Sequence, residues 1–176
     1  MYWPSAAITF EHDNKLMLNS YVDSGYKPVP ITEKNKHAIE LFLAHIKNML
    51  SDEKEQTILL DWLAYVVQNA GKRINWAILL QGAQGTGKSY FAKVLEWLLG
   101  SNAKSLDPSA LGERFTGWAH GSLVNIVEEI RIKGDDKWRI MDRLKPFITN
   151  SMIQIEEKGR DHRTVPNFTN YLLLTN

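Results

Sequence analysis

The residues best suited to chemistry are Gly82-Ala83-Gln84-Gly85-Thr86-Gly87-Lys88-Ser89, which fit the pattern G-x-x-x-x-G-K-[ST]. Glycines let the backbone curl until several N–H groups point inward and form an anion-binding nest. Lys88 can then reach the β- and γ-phosphates of a nucleotide, and the Ser89 hydroxyl can ligate Mg²⁺. A helix starting near Lys88, with Tyr90 in its first turn, adds its positive dipole end. The chemistry this predicts is binding of ATP with Mg²⁺.

Such a loop needs an acidic partner. Leu123-Val124-Asn125-Ile126-Val127 is an apolar run followed by Glu128-Glu129. In P-loop enzymes the metal carboxylate sits at the end of a neighbouring strand. Side chains alternate along a strand, so two adjacent acids point differently. Glu128 is predicted to hold the magnesium shell and Glu129 to polarise the attacking water. Glutamate is longer than the usual aspartate, which allows contact through a bound water.

A third group lies near the end. Ile153-Gln154-Ile155-Glu156 alternates like a strand and runs into Glu157-Lys158-Gly159-Arg160-Asp161-His162-Arg163. A hairpin here lays Lys158, Arg160 and Arg163, with His162, along a phosphate backbone, which positions a nucleic-acid strand without reading its sequence. The plainer alternative is a solvated charged turn. Asn170-Tyr171-Leu172-Leu173-Leu174-Thr175-Asn176 returns as a strand, and Asn176 at its tip can hydrogen-bond a γ-phosphate or the attacking water.

The elements that must position these residues follow from periodicity. Trp76–Leu80 is an apolar strand before the loop, and Phe91, Val94, Leu95 and Leu98 share one face of the helix after it, with Gly100 as its stop. Further strands are predicted near Lys104–Leu106, over Leu123–Val127 and over Tyr171–Thr175. Asp107-Pro108 is a helix start, a cap followed by proline at the first helical position. A helix from Asp135 or Asp136 through Leu144 should kink or end at Pro146. Strand and helix alternate from Asn75 onward, so the fold class is α/β: a parallel P-loop sheet flanked by helices. Before it stand a small β segment (1–30), with a hairpin turning at Asp13-Asn14, and a helical pair (31–72). Thr32 caps the first helix of the pair and Ser51 the second. This pair reads as packing against the core at 73–176.

Composition bounds the rest. The chain has 176 residues, 44% hydrophobic, with a net charge of +1, so any basic site must be local. It has no cysteine, which excludes disulfides, thiolate metal sites and cysteine nucleophiles. No apolar run approaches the roughly 18 residues that span a membrane. No secretory signal is visible, so a cytoplasmic location is expected.

The P-loop, the strand ending in two acids, the acid-x-lysine hairpin and the strand ending in Thr-Asn occur here in order. Together they resemble the superfamily 3 helicases, AAA+-type helicases of viruses, phages and plasmids. The likeness is to the helicase regions of phage and mobile-element primase-helicases. It extends to Trp62-Leu63-Ala64, to Gly71-Lys72-Arg73-Ile74-Asn75-Trp76-Ala77, to Arg114-Phe115 and to the Glu156–Gly159 loop. It covers roughly residues 55 to 176 strongly and the first fifty weakly.

The resemblance implies that Gly82, Gly85, Gly87, Lys88 and Ser89 bind the triphosphate and Mg²⁺. It makes Glu128 and Glu129 the metal and water carboxylates, and Asn176 a sensor of the γ-phosphate. It makes Lys158, with Arg160, His162 and Arg163, a pore hairpin gripping single-stranded DNA in a hexameric ring of identical subunits. A primase or polymerase module in the same longer chain is a further expectation. In the family the arginine finger and last core strand follow the sensor motif. A chain ending at Asn176 is therefore expected to be a fragment that binds ATP but hydrolyses it weakly. On the residues alone, another P-loop NTPase or small-molecule kinase and a non-catalytic oligomerisation module remain alternatives.

Overall fold

The computed structural model describes residues 1–4, 6–128 and 136–176. The chain opens with a hairpin, β1 (Thr9–His12) against β2 (Lys15–Leu18). It turns through Asp13 and Asn14 at φ 51° and 57°, left-handed values that short polar side chains tolerate. Helix α1 (Glu33–Met49) starts at Thr32, whose N–H donates to the Asn35 side chain at 2.7 Å. Helix α2 (Glu53–Gln68) is capped by Asp52, not by Ser51 as expected from sequence: the Asp52 carboxylate accepts the Lys54 N–H at 2.7 Å. An anion there also meets the positive end of the helix dipole.

Four parallel strands make the central sheet: β3 (Ile78–Gln81), β4 (Ala103–Leu106), β5 (Val124–Val127) and β8 (Asn170–Thr175), in spatial order β3-β8-β5-β4. Pairing of β3 begins only at Ile78, opposite Leu172, so Trp76 precedes the strand and stays half exposed. Helix α3 (Ser89–Leu99) follows the phosphate-loop sequence and ends at Gly100, φ 56°. It buries Phe91, Ala92, Leu95 and Leu99. The stripe read from sequence, through Val94 and Leu98, is rotated by about a residue. The 3.6 period allows either stripe, and only packing against α2 and the sheet selects one.

The sheet is covered on both faces, as parallel sheets must be. Alternation along β8 sends Leu172 and Leu174 into a core shared with Leu59, Trp62 and Val66 of α2 and Phe91 and Leu95 of α3. Tyr171 and Leu173 enter a second core. There they meet Leu144 and Phe147 of α4 (Asp136–Thr149) and the inner residues of β6 (Met152–Ile155) and β7 (Arg163–Pro166). Strands β6 and β7 pair antiparallel as a separate hairpin.

Pro146 does not end α4, which runs on to Thr149. The Asn150 N–H closes a further turn onto the Pro146 carbonyl at 2.9 Å, and the Arg73 guanidinium caps the carbonyls of Ile148 and Thr149. Those long-range bonds support a last turn that proline would otherwise weaken. The Asp107-Pro108 start gives only a short 3₁₀ turn, Pro108–Leu111, with Asp107 accepting the Ser109 N–H. Among the described residues no helix is long and apolar enough to cross a membrane.

Asn170 ties the entrance of β3 to the sheet. Its buried side chain accepts the Ile74 N–H at 2.8 Å and donates to the Leu123 carbonyl at 3.2 Å. Replacing it with alanine takes the acceptor from the Ile74 N–H, while the Leu123 carbonyl keeps the Asn170 backbone N–H at 2.8 Å. Asn170→Ala should lower unfolding stability by about 1–3 kcal/mol, read as a shift in urea midpoint at unchanged slope. An unchanged midpoint would show that water satisfies the Ile74 N–H.

Candidate functional site

Strands β3, β5 and β8 run parallel, so their carboxyl ends lie along one edge of the sheet. Register brings β3 and β8 level, Gln81 pairing with Thr175, and β5 ends two residues short of them, Val127 pairing with Leu173. The residues that follow each strand therefore meet. They are the loop from Gly82, the acid Glu128 and the terminal Asn176. Ligands of open α/β sheets bind at this edge.

The loop takes the strained shape its glycines permit. Gly85 and Gly87 have φ 82° and 94°, where side chains are disfavoured. The Thr86 hydroxyl donates to the Ala83 carbonyl at 3.0 Å. Lys88 is almost fully buried, and its Nζ donates to the carbonyls of Gly82 and Ala83 at 2.6 and 2.7 Å. These contacts pin the ammonium within the loop, where a bound phosphate would compete for it. Ser89 starts α3, and its Oγ donates to Glu128 Oε2 at 2.5 Å. A cavity of about 240 Å³ is lined by Gln84, Gly85, Gly87, Lys88, Ser89, Glu128, Leu174 and Asn176. The structure thus brings Lys88, Ser89, Glu128 and Asn176 to one place. Glu129 lies outside the described residues. Tyr90 is adjacent but outside that cavity, partly exposed on the first turn of α3.

The donor set suits a hard divalent cation. Mg²⁺ takes one or two protein oxygens and keeps several waters. Ser89 Oγ and Glu128 Oε2, already in contact, are such a pair. Among the described residues no cluster of three or more acids or histidines offers a fuller cage.

The basic hairpin lies elsewhere, joining β6 to β7. The Thr116 N–H donates to the Glu156 carbonyl at 3.0 Å, and the Glu156 N–H to the Thr116 hydroxyl at 2.9 Å. Most of its cations are paired with its own acids. Arg160 and Arg163 both reach Glu157 Oε2, at 3.1 and 3.0 Å, while Arg114 and His162 flank Glu156 at 2.6 and 3.5 Å. The cationic ends are exposed while the two carboxylates are partly buried, so solvent screens each pair from one side. Lys158 is exposed and has no carboxylate partner among the described residues. Burial pushes the nearby His120 imidazole down to about 4, helped by repulsion from Arg163 and Lys104, so it adds no charge at neutral pH.

Two features escape a sequence reading. One is the pairing of Glu156 and Glu157 with the cations around them. The other is His45 of α1, whose Nε2 lies 3.2 Å from the Gly87 carbonyl. Its place on the apolar stripe with Phe42 and Ile46 marks it as inward-facing, but nothing in the order of residues links it to Gly87.

A model of a family of unknown function, DUF5906, matches residues 80–176, which include the loop, Glu128, the hairpin and β8. The chain belongs to the DUF5906 family. This DUF5906 member is similar along 99% of its length to the DNA primase-polymerase of Nitratiruptor phage NrS-1, with 23% identity over 180 residues. It spans only 24% of that relative's length. The fold matches the apo structure of the NrS-1 C-terminal region, residues 305–718, with a TM-score of 0.83 at 22% identity, covering 99% of this chain and 42% of that one. A second apo form of the same region gives 0.80, again at 22% identity and 99% of this chain, with 41% of that one covered. The shared architecture is an α/β parallel sheet flanked by helices, with a small β segment in front.

Gly87 has a second constraint besides its φ. A Cβ built there would sit 2.3 Å from the His45 ring, whereas one at Gly85 would touch nothing within 4 Å. Gly85→Ala should cost only backbone strain, roughly 1–2 kcal/mol. Gly87→Ala should cost clearly more, because the ring must also move. Urea unfolding of the two variants compares them, and equal losses would refute the packing of ring on glycine.

Proposed function

We propose that this chain is the ATP-hydrolysing core of a DNA helicase or translocase of the superfamily 3 kind. It would serve a phage or mobile-element replication protein that works as a ring of identical subunits, expected to be hexameric. One observation carries the reading. Ser89 at the start of α3 and Glu128 at the end of β5 are in contact at 2.5 Å and line one cavity with Lys88 and Asn176. A nest, a lysine, a hydroxyl–carboxylate pair and a terminal amide are what triphosphate hydrolysis needs at one point. Similarity to a phage primase-polymerase supports a replication setting. We propose that a primase or polymerase activity acts beside this one.

In this reading the loop N–H groups and Lys88 bind the β- and γ-phosphates. Ser89 and Glu128 would hold Mg²⁺, which neutralises charge on the leaving diphosphate. Glu129 polarises the attacking water, and Asn176 orients that water or the γ-phosphate. Lys158 contacts the DNA backbone, and Arg160, Arg163 and His162 join it when phosphate replaces their glutamates.

The test is ATP turnover with and without single-stranded DNA, measured on a longer chain that continues past Asn176. Turnover should rise when DNA is added and vanish in Lys88→Ala. Glu129→Gln should bind ATP yet fail to hydrolyse it. Lys158→Ala should keep the basal rate, lose the stimulation and bind DNA with a shallower salt dependence. Absence of DNA stimulation, together with phosphoryl transfer to a small acceptor, would overturn the helicase reading in favour of a kinase. Absence of any nucleotide binding would leave an assembly module.

A further inference from the structure

We infer that His45 is a positioning residue for the phosphate loop, setting the direction of its last peptide from outside the loop. This rests on the nucleotide-binding reading of Gly82–Ser89 and goes beyond it by giving α1 a part in the site. The imidazole Nε2 lies 3.2 Å from the Gly87 carbonyl oxygen. A carbonyl accepts, so Nε2 carries the proton in this contact.

The consequence follows from peptide geometry. In a trans peptide the C=O and the next N–H lie in one plane and point in opposite directions. Holding the Gly87 oxygen toward α1 turns the Lys88 N–H away from α1, into the loop. That N–H belongs to the nest that would hold a phosphate. The Tyr90 N–H holds this carbonyl from within α3, but glycine at φ 94° leaves the peptide the widest choice of backbone angles, so one bond restrains it less than two. The hydrogen bond from His45 adds a second restraint from outside the loop before the ligand arrives, and such preorganisation lowers the ordering cost of binding.

The surroundings hold the ring in register. It packs on the bare Cα of Gly87, where a Cβ would come within 2.3 Å of its Cε1. It meets Tyr90 edge to face at 5.1 Å between centroids, and Phe91 at 5.4 Å. Phe42, one turn earlier on α1, contacts the same two rings. The ring is therefore seated on the first turn of the helix whose N-terminus faces the candidate site.

A core histidine that merely satisfies a stray carbonyl would look different. The Gly87 carbonyl already accepts the Tyr90 N–H at 3.0 Å, so the fold does not need His45 to satisfy it. The imidazole is itself only half-buried and could give its proton to water. The bond adds a second restraint on direction, not satisfaction.

Two variants isolate it. His45→Gln keeps an N–H donor at about the reach of Nε2. His45→Met keeps length and apolar bulk but donates nothing. Both lose the aromatic contacts, so both should lower the unfolding temperature of the free protein alike. Calorimetric titration with MgATP should show His45→Gln close to wild type and His45→Met weaker by about fivefold to tenfold, the worth of one net hydrogen bond. Equal affinities for Gln and Met would overturn the positioning role and leave nucleotide binding standing. Failure of the wild-type chain to bind MgATP would instead overturn the nucleotide reading, and the inference with it.

Discussion

Strand β8 is the last in the chain, yet it lies between β3 and β5 and hydrogen-bonds to both. The site depends on that insertion. Without β8, the phosphate-loop strand and the acidic strand would have no common frame, and Ser89 could not meet Glu128. Parallel pairing then does the rest, because it puts every carboxyl end on one edge. The register between Gln81 and Thr175 places Asn176 beside Gly82. The Gly82 N–H extends this ladder by one bond, to the Thr175 carbonyl at 3.2 Å.

A central parallel strand must be apolar on both faces, and β8 is buried along its whole length. Its alternation divides the molecule into two cores. One joins the sheet to α2 and α3, and the other joins it to α4 and the β6–β7 hairpin. The phosphate loop springs from the first core, and the basic hairpin is anchored in the second through Ile153, Ile155 and Val165. The two candidate features are thus rooted on opposite faces of one strand.

The hairpin shows how charge is kept in reserve. Two adjacent glutamates collect Arg114, Arg160, His162 and Arg163. The cationic ends are exposed and the two carboxylates partly buried, so the pairs order the side chains around the turn. Lys158 at the turn is exposed.

Much of this was legible in the residue order. The glycine and lysine spacing announced the loop, because its chemistry is local and needs fixed residue types at fixed offsets. The α/β class followed from alternating strand and helix periods. Gly100, Thr32 and the Asp13-Asn14 turn act where they stand, since caps and turns are short-range. The errors fell where distant groups compete: Asp52 displaced Ser51, Arg73 helped carry α4 past Pro146, and α2 with the sheet chose the buried stripe of α3. The sequence by itself determined which residues can bind phosphate, a cation and a polyanion. Only the tertiary structure decided that Glu128 reaches Ser89, that Asn176 lines the same cavity and that His45 holds Gly87. Those contacts join residues 39 or more positions apart, and strand order and helix packing create them, not periodicity.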